Sequence, residues 1–342
     1  MSSHPSRRSL LPVVTNLILL LGYSVLLLSG IKGFTLWPQI LEILYVCGLD
    51  PKDQFGRDPL DVFYIDHPLA LRYLLMWPII AFSLSTGVAL STAFSLLVFM
   101  LLPTMTWILA RTLKFLRPPG HEDAVWDTTR LLTIWLCIAL LMNGRLVIVF
   151  TGVSIIMYAQ ISMLIRRQHT YGLILLQLVG LLLCSVSSGT FMVAFCVVLA
   201  FLASMTLTHV PARKFIHLDL AICGALIAAG AAPLVRVYIA KNLAYFNHSL
   251  NGMLMHGPLR LLNAIGVGFP ILRTVCIGFA STALIVMTTT YIRCLRQQNM
   301  WCPFILFAGF SFTFGILGYS ALLTMLPAVT LMLAYVMPRL CC

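Results

Sequence analysis

RLVIVFTGVSIIMYAQISMLIRR, residues 145–167, decides what kind of chain this is. Nothing between Arg145 and Arg166 carries a charge. At 1.5 Å per helical residue that interval is about 30 Å long, the thickness of a bilayer's hydrocarbon core. Similar apolar runs recur near 10–30, 70–90, 92–110, 128–143, 146–165, 171–187, 189–207, 215–236, 260–292, 301–318 and 320–337. They predict an all-α, polytopic bundle of transmembrane helices with eleven spans. A twelfth is added if FTLWPQILEILYVCG (34–48) crosses rather than lying at the interface. The run at 260–292 is overlong, and Gly266, Gly268 and Pro270 predict a break in it.

Composition points the same way. Of 342 residues, 60% are hydrophobic and 9% charged, with a mean hydropathy of +0.98. A soluble chain of this length would cover its cores with charge. The expectation is therefore a single integral membrane domain over 1–342. MSSHPSRRS (1–9) precedes a run too long for a signal-peptide core and without a small-x-small cleavage site, which predicts a retained first helix. Ten cysteines are scattered, mostly through apolar runs, with no metal-ligand spacing. The terminal Cys341–Cys342 resembles a prenylation signal, an anchor that a many-span chain does not need. The formal charge of +12 is read as topology rather than nucleic-acid binding, because the Lys and Arg residues sit in short loops between apolar runs. The partners this implies are the lipid bilayer and an anionic, lipid-linked substrate, with no nucleic acid.

Orientation follows from the same loops. RTLKFLRPPG (111–120), RRQ (166–168), HVPARK (209–214) and RCLRQ (293–297) fall on one side, which the positive-inside rule makes cytoplasmic. The outer side then receives the NGR turn at 143–145, the SSGT turn at 187–190 and a basic connection from Arg236 to Arg260. The acidic loop at about 50–67 falls on the outer face, the favoured expectation, if 34–48 does not cross, and on the cytoplasmic face if it does. Six of the ten acidic residues (Glu42, Asp50, Asp53, Asp58, Asp61, Asp66) lie in 42–66 and none follows Asp219. Arg236, Lys241, Arg260 and Arg273 accordingly have no local acidic partner.

Four constellations carry the candidate chemistry. Arg145, behind the Asn143–Gly144 turn, has two readings: a side chain snorkelling at a helix end, or a planar cationic fork that grips a phosphate or diphosphate. CSVSSGTF (184–191) offers Ser187, Ser188 and Thr190 either as close-packing small residues or as hydroxyls for a sugar. RVYIAKNLAYFNHSLNGMLMHGPLR (236–260) interleaves Arg236, Lys241 and Arg260 with Tyr238, Tyr245 and Phe246, which suits a sugar ring and equally a membrane interface. His248 and His256 in that stretch are candidate general bases, since imidazole trades protons near neutral pH. DPKDQFGRDPLDVFYIDHP (50–68) supplies Asp58 and Asp61 as a possible base or divalent-cation ligands, against a plain solvated loop.

This layout resembles the Wzy-type polymerases of O-antigen and related bacterial polysaccharides. The resemblance covers about 128–292 and rests on many spans in a short chain, an arginine in a tight outer turn, a later SVSSGTF turn and a basic outer connection. It implies transfer of a glycan from an undecaprenyl diphosphate carrier onto another lipid-linked repeat unit, at the outer face of the bacterial inner membrane. No metal or other cofactor is implied, and a chain-length regulator is a possible partner. In that setting Arg145, Arg236, Lys241, Arg260 and Arg273 would bind diphosphate and stabilise the departing charge. Asn143, Ser187, Ser188, Thr190 and Tyr245 would contact sugar, and His248, His256, Asp58 or Asp61 would take the acceptor's proton. Two competing expectations remain: a metal-dependent transferase of polyprenyl-phosphate sugars with its catalytic aspartate in 50–66, and a transporter or flippase for a lipid-linked saccharide or other anion.

Overall fold

A computed structural model describes residues 17, 21, 70–116, 124–141, 144–166, 171–208, 214–245, 247–249, 270–297, 299, 301–317 and 323–340. Residues 17 and 21 are helical. The rest build α1 (Ala70–Thr86), α2 (Leu90–Leu116), α3 (Ala124–Leu141), α4 (Gly144–Arg166), α5 (Tyr171–Cys184), α6 (Ser188–Thr208), α7 (Lys214–Tyr245), α8 (Pro270–Arg296), α9 (Cys302–Leu317) and α10 (Leu326–Leu340). A 3₁₀ turn, Leu323–Met325, leads into α10, and no strand occurs among the described residues.

These segments are helical because an apolar run satisfies its backbone most simply within itself, and their hydroxyls follow suit. Thr106 donates to the Leu102 carbonyl at 2.8 Å and Thr151 to that of Val147 at 2.8 Å. Ser154 likewise donates to the Phe150 carbonyl at 2.7 Å. Pro270 is the first residue of α8, so the proline expected to break the 260–292 run starts a helix, where its missing N–H costs nothing.

Side-chain pairs fix the direction of each helix. In α4 and α5, Cys184 Sγ lies 3.7 Å from the Val149 carbonyl, and Gln177 Nε2 lies 3.3 Å from Met163 Sδ. Trp135 of α3 meets Phe150 at 5.2 Å between centroids, and Phe115 of α2 meets Tyr158 at 5.7 Å. Leu202 of α6 faces Gly224 of α7, Tyr291 of α8 sits beside Ser204, and Met287 faces Gly309 of α9. Trp301 meets Tyr335 of α10 at 5.2 Å. The helices therefore alternate up and down through the bundle. One end collects Arg111, Lys114, Arg166, Lys214, Arg293 and Arg296. The other, the turn end, collects the bend at Gly87, the start of α4, the 185–187 turn and residues 247–249.

α1 rises from the basic end to the Gly87 bend, where Ser83 Oγ donates to the Val88 carbonyl at 2.6 Å. The acidic segment expected on the outer face lies outside the described residues. One expectation changes at α5, which stops at Cys184 after 14 residues, about 21 Å. The turn that follows is consequently sunk into the bundle: Ser185 is 0%, Val186 1% and Ser187 4% exposed.

α4 is the core. It packs on α2, α5, α6, α9 and α10, and Phe150, Val153, Ile156, Met157 and Ile161 are fully buried along it. Its tightest neighbour is α5, since a Cβ at Gly152 would lie 2.6 Å from the Gly180 carbonyl oxygen and one at Gly180 would lie 2.6 Å from Ile156 Cγ1. Glycine is the residue that permits this approach. α7 and α8 are peripheral, with Leu226, Ile271, Phe279 and Ile285 among their exposed side chains. Among the described residues, four helical stretches are long and apolar enough to cross a membrane: Thr92–Leu116, Leu146–Ile165, Ala221–Lys241 and Ile277–Arg296.

Candidate functional site

The turn end gathers three of the sequence-singled features. Arg145 is the second residue of α4, one helical turn before Val149, whose carbonyl meets Cys184. Cys184 is followed directly by the sunken turn. Inside that turn the backbone is closed on itself: Ser185 N–H donates to the Leu181 carbonyl at 3.0 Å and Ser187 N–H to that of Cys184 at 3.0 Å. Ser187 then caps α6, its carbonyl accepting from Phe191 N–H at 2.8 Å. Ser187 and Thr190, at 4% and 1% exposure, pack inside the bundle. Ser188 is the first residue of α6.

Two turns along α6 stands Phe195, and with α7 it forms an open groove of about 470 Å³ lined by Ala232, Val235, Arg236, Ile239, Ala240 and Leu243. The α7 residues follow the i, i+3, i+4, i+7 pattern of one helical face. The lining is almost wholly apolar, and Arg236 joins it through the carbon stem of its side chain. That residue is exposed and has no hydrogen-bond or ion-pair partner among the described residues. The acidic residues of the described helices, Asp127 and Asp219, belong to the parts of α3 and α7 at the basic end.

Helix direction sharpens the point. Side chains lean toward the N-terminus of their helix, which for α7 is the basic end, so the Arg236 stem starts out along the apolar stretch rather than toward the turn end. Its Cα lies nine residues, about 14 Å, short of Tyr245 at the end of α7. A cation so placed gains from meeting an anion beside the groove.

Lys241, one turn beyond, is 7% exposed and not part of the lining. The helix ends in a left-handed cap: Asn247 (φ 52°) and His248 (φ 58°) turn the chain, with His248 N–H on the Leu243 carbonyl at 2.6 Å and Asn247 N–H on that of Ala244 at 3.1 Å. His248 is exposed beyond the end of α7 and outside the groove. Tyr245 is the last residue of α7 and Arg273 the fourth of α8. Asn143, His256, Arg260, Asp58 and Asp61 lie outside the described residues. Among those described, no three His, Cys, Asp or Glu side chains converge as a metal would need.

Phe195, Ile239, Ala240 and Leu243 were not singled out from the sequence. The spacing of the α7 residues around Arg236 was a usable signal, but Phe195 comes from another helix and carries none. No family model, no curated protein and no solved structure matches this chain.

Proposed function

We propose that the protein is a polytopic membrane glycosyltransferase that joins oligosaccharide units carried on a polyprenyl diphosphate, in the manner of a polysaccharide polymerase. The observation that carries this reading is Arg236: an exposed cation with no partner among the described residues, its stem bordering an apolar groove toward the end opposite the basic one. An amphiphile with a long hydrocarbon chain and an anionic head would pair its chain with the groove and its head with the guanidinium beside it. Bond transfer from a lipid diphosphate loads charge onto the departing phosphate, and a bidentate guanidinium stabilises that charge without a metal. Arg145, at the start of α4 on the same end, is the second candidate. The bacterial inner membrane, eleven or twelve spans and the chain-length regulator belong to this proposal as well.

A carrier reading keeps one observation in its favour. Pro233 lies inside α7, three residues before Arg236, where a proline removes a helix hydrogen bond and permits bending.

Deleting the gene and resolving the cell's surface glycan by gel separates the readings. Collapse of the ladder to a core with one repeat unit is the expected result. An unchanged ladder removes the polymerase, and loss of the single unit as well assigns the protein to assembly or flipping of that unit.

A further inference from the structure

We infer that Cys294 and Cys302 form a dithiol site at the basic end of the bundle, which a small soluble disulfide such as oxidised glutathione converts to an internal disulfide that latches α8 to α9. Register places the two residues opposite each other. Met287 of α8 faces Gly309 of α9, where a Cβ would lie 3.6 Å from that of Met287. The two helices run antiparallel, so seven residues onward along α8 and seven back along α9 lead to Cys294 and Cys302. That is about two turns on each helix and returns to the same seam. A disulfide spans a Cβ separation of about 3.5–4.5 Å, the spacing that the seam already has at Gly309.

The backbone between the helices clips the pair together. Asn299 N–H donates to the Cys294 carbonyl at 2.9 Å, and Cys302 N–H donates to the Asn299 carbonyl at 3.1 Å. Trp301 N–H holds the same turn through Asn299 Oδ1 at 3.1 Å. Cys302 also lies within electrostatic reach of Cys294 and of Tyr291, one turn back on α8. Both thiols are free. The latch would act where α8 is held, since Tyr291 and Leu295 are the buried ones among its described side chains.

Exposure sets the order of the chemistry. Cys294 is half-buried and Cys302 fully buried, so Cys294 attacks the soluble disulfide first. A mixed disulfide forms, and the Cys294 proton leaves with the first thiol released. Cys302 then attacks the Cys294 sulfur, and its proton leaves with the second thiol. One disulfide breaks and one forms, the oxidant being reduced to two thiols as the pair is oxidised. Arg293 and Arg296, both exposed, favour an anionic oxidant of the glutathione kind. The positive-inside rule makes this end cytoplasmic, where thiols are kept reduced, so the dithiol is the resting form.

Full-length protein in detergent, reduced, desalted and incubated with oxidised glutathione while folded, tests this independently of the polymerase reading. Remaining thiols are alkylated, and unreduced peptides are mapped by mass spectrometry. Wild type should yield a peptide linked through Cys294 and Cys302, with both positions lost from the alkylated pool. Cys302→Ala should stop at a glutathione mixed disulfide on Cys294, and Cys294→Ala should leave Cys302 unmodified. Two arms need no variant: phenylarsine oxide, which bridges paired thiols, should protect both cysteines of the wild type from alkylation, and oxidation should slow amide hydrogen exchange over residues 291–296. A mixed disulfide that persists on wild-type Cys294 while Cys302 stays open to alkylation overturns the site, as does a link that forms only after denaturation. Unchanged exchange in the linked protein overturns the latch.

Discussion

Arg236 and Arg145 illustrate two ways a cation in an apolar chain becomes visible. Arg145 stands out because it interrupts a long apolar run. Arg236 gains its meaning from Phe195 on another helix and from the absence of an acidic partner among the described residues. Two buried sites make sharper residue-scale predictions. Gly152→Ala should destabilise by about 1–3 kcal/mol, the usual penalty of overpacking, because the new methyl would sit 2.6 Å from a backbone oxygen that has no room to move. Thermal unfolding in detergent reads this as a lowered Tm, and an unchanged Tm would mean that α4 and α5 stand further apart. Gln160 is the converse case. It is 0% exposed and neither amide atom has a partner, so the apolar Gln160→Met should raise stability by about 1 kcal/mol, since it removes an uncompensated buried amide. A lowered Tm would show that the amide holds an essential bond.

Among the elements, α5 is where sequence and structure part most clearly. Its apolar run extends to residue 187, yet the helix ends at Cys184, because Ser185 turns its hydroxyl back onto the Leu182 carbonyl and the chain reverses inside the bundle. Hydropathy cannot register that, since Ser185 and Val186 are as compatible with a continuing helix as with a turn. The ten described helices otherwise overlap the apolar runs, and α7 runs on through Arg236 to Tyr245, about 48 Å in all. That extension is what lets one helix carry both the groove and the cap beyond it. The cap needs left-handed backbone at Asn247, so Asn247→Val should cost about 1–2 kcal/mol and Asn247→Gly should be tolerated. Comparing the melting temperatures of the two variants checks this, and equal values would contradict the cap.

For the whole molecule, the alternation of the ten described helices predicts an up-down order across the membrane. Short epitope tags placed at the Gly87 bend and after Ser249 should be reached from one side of the membrane, and a tag at Gln297 from the other. Labelling of all three from the same side in intact cells would break the up-down order. The helical, apolar character of the chain was legible in the sequence because its runs are long and uncharged, and four described stretches are long and apolar enough to cross a membrane. The acidic segment lies outside the described residues. The groove was hidden, being made by packing between helices rather than by any stretch of either.

The central claim is that Arg236 handles the charged end of a lipid-linked substrate. Complementing a gene-deletion strain with wild type, Arg236→Lys and Arg236→Ala at matched protein levels, and reading the surface-glycan ladder, tests it most directly. The prediction is a full ladder for wild type, a shortened or sparse one for lysine, which keeps the charge and loses the fork, and collapse to one repeat unit for alanine. A full ladder from Arg236→Ala would contradict the account.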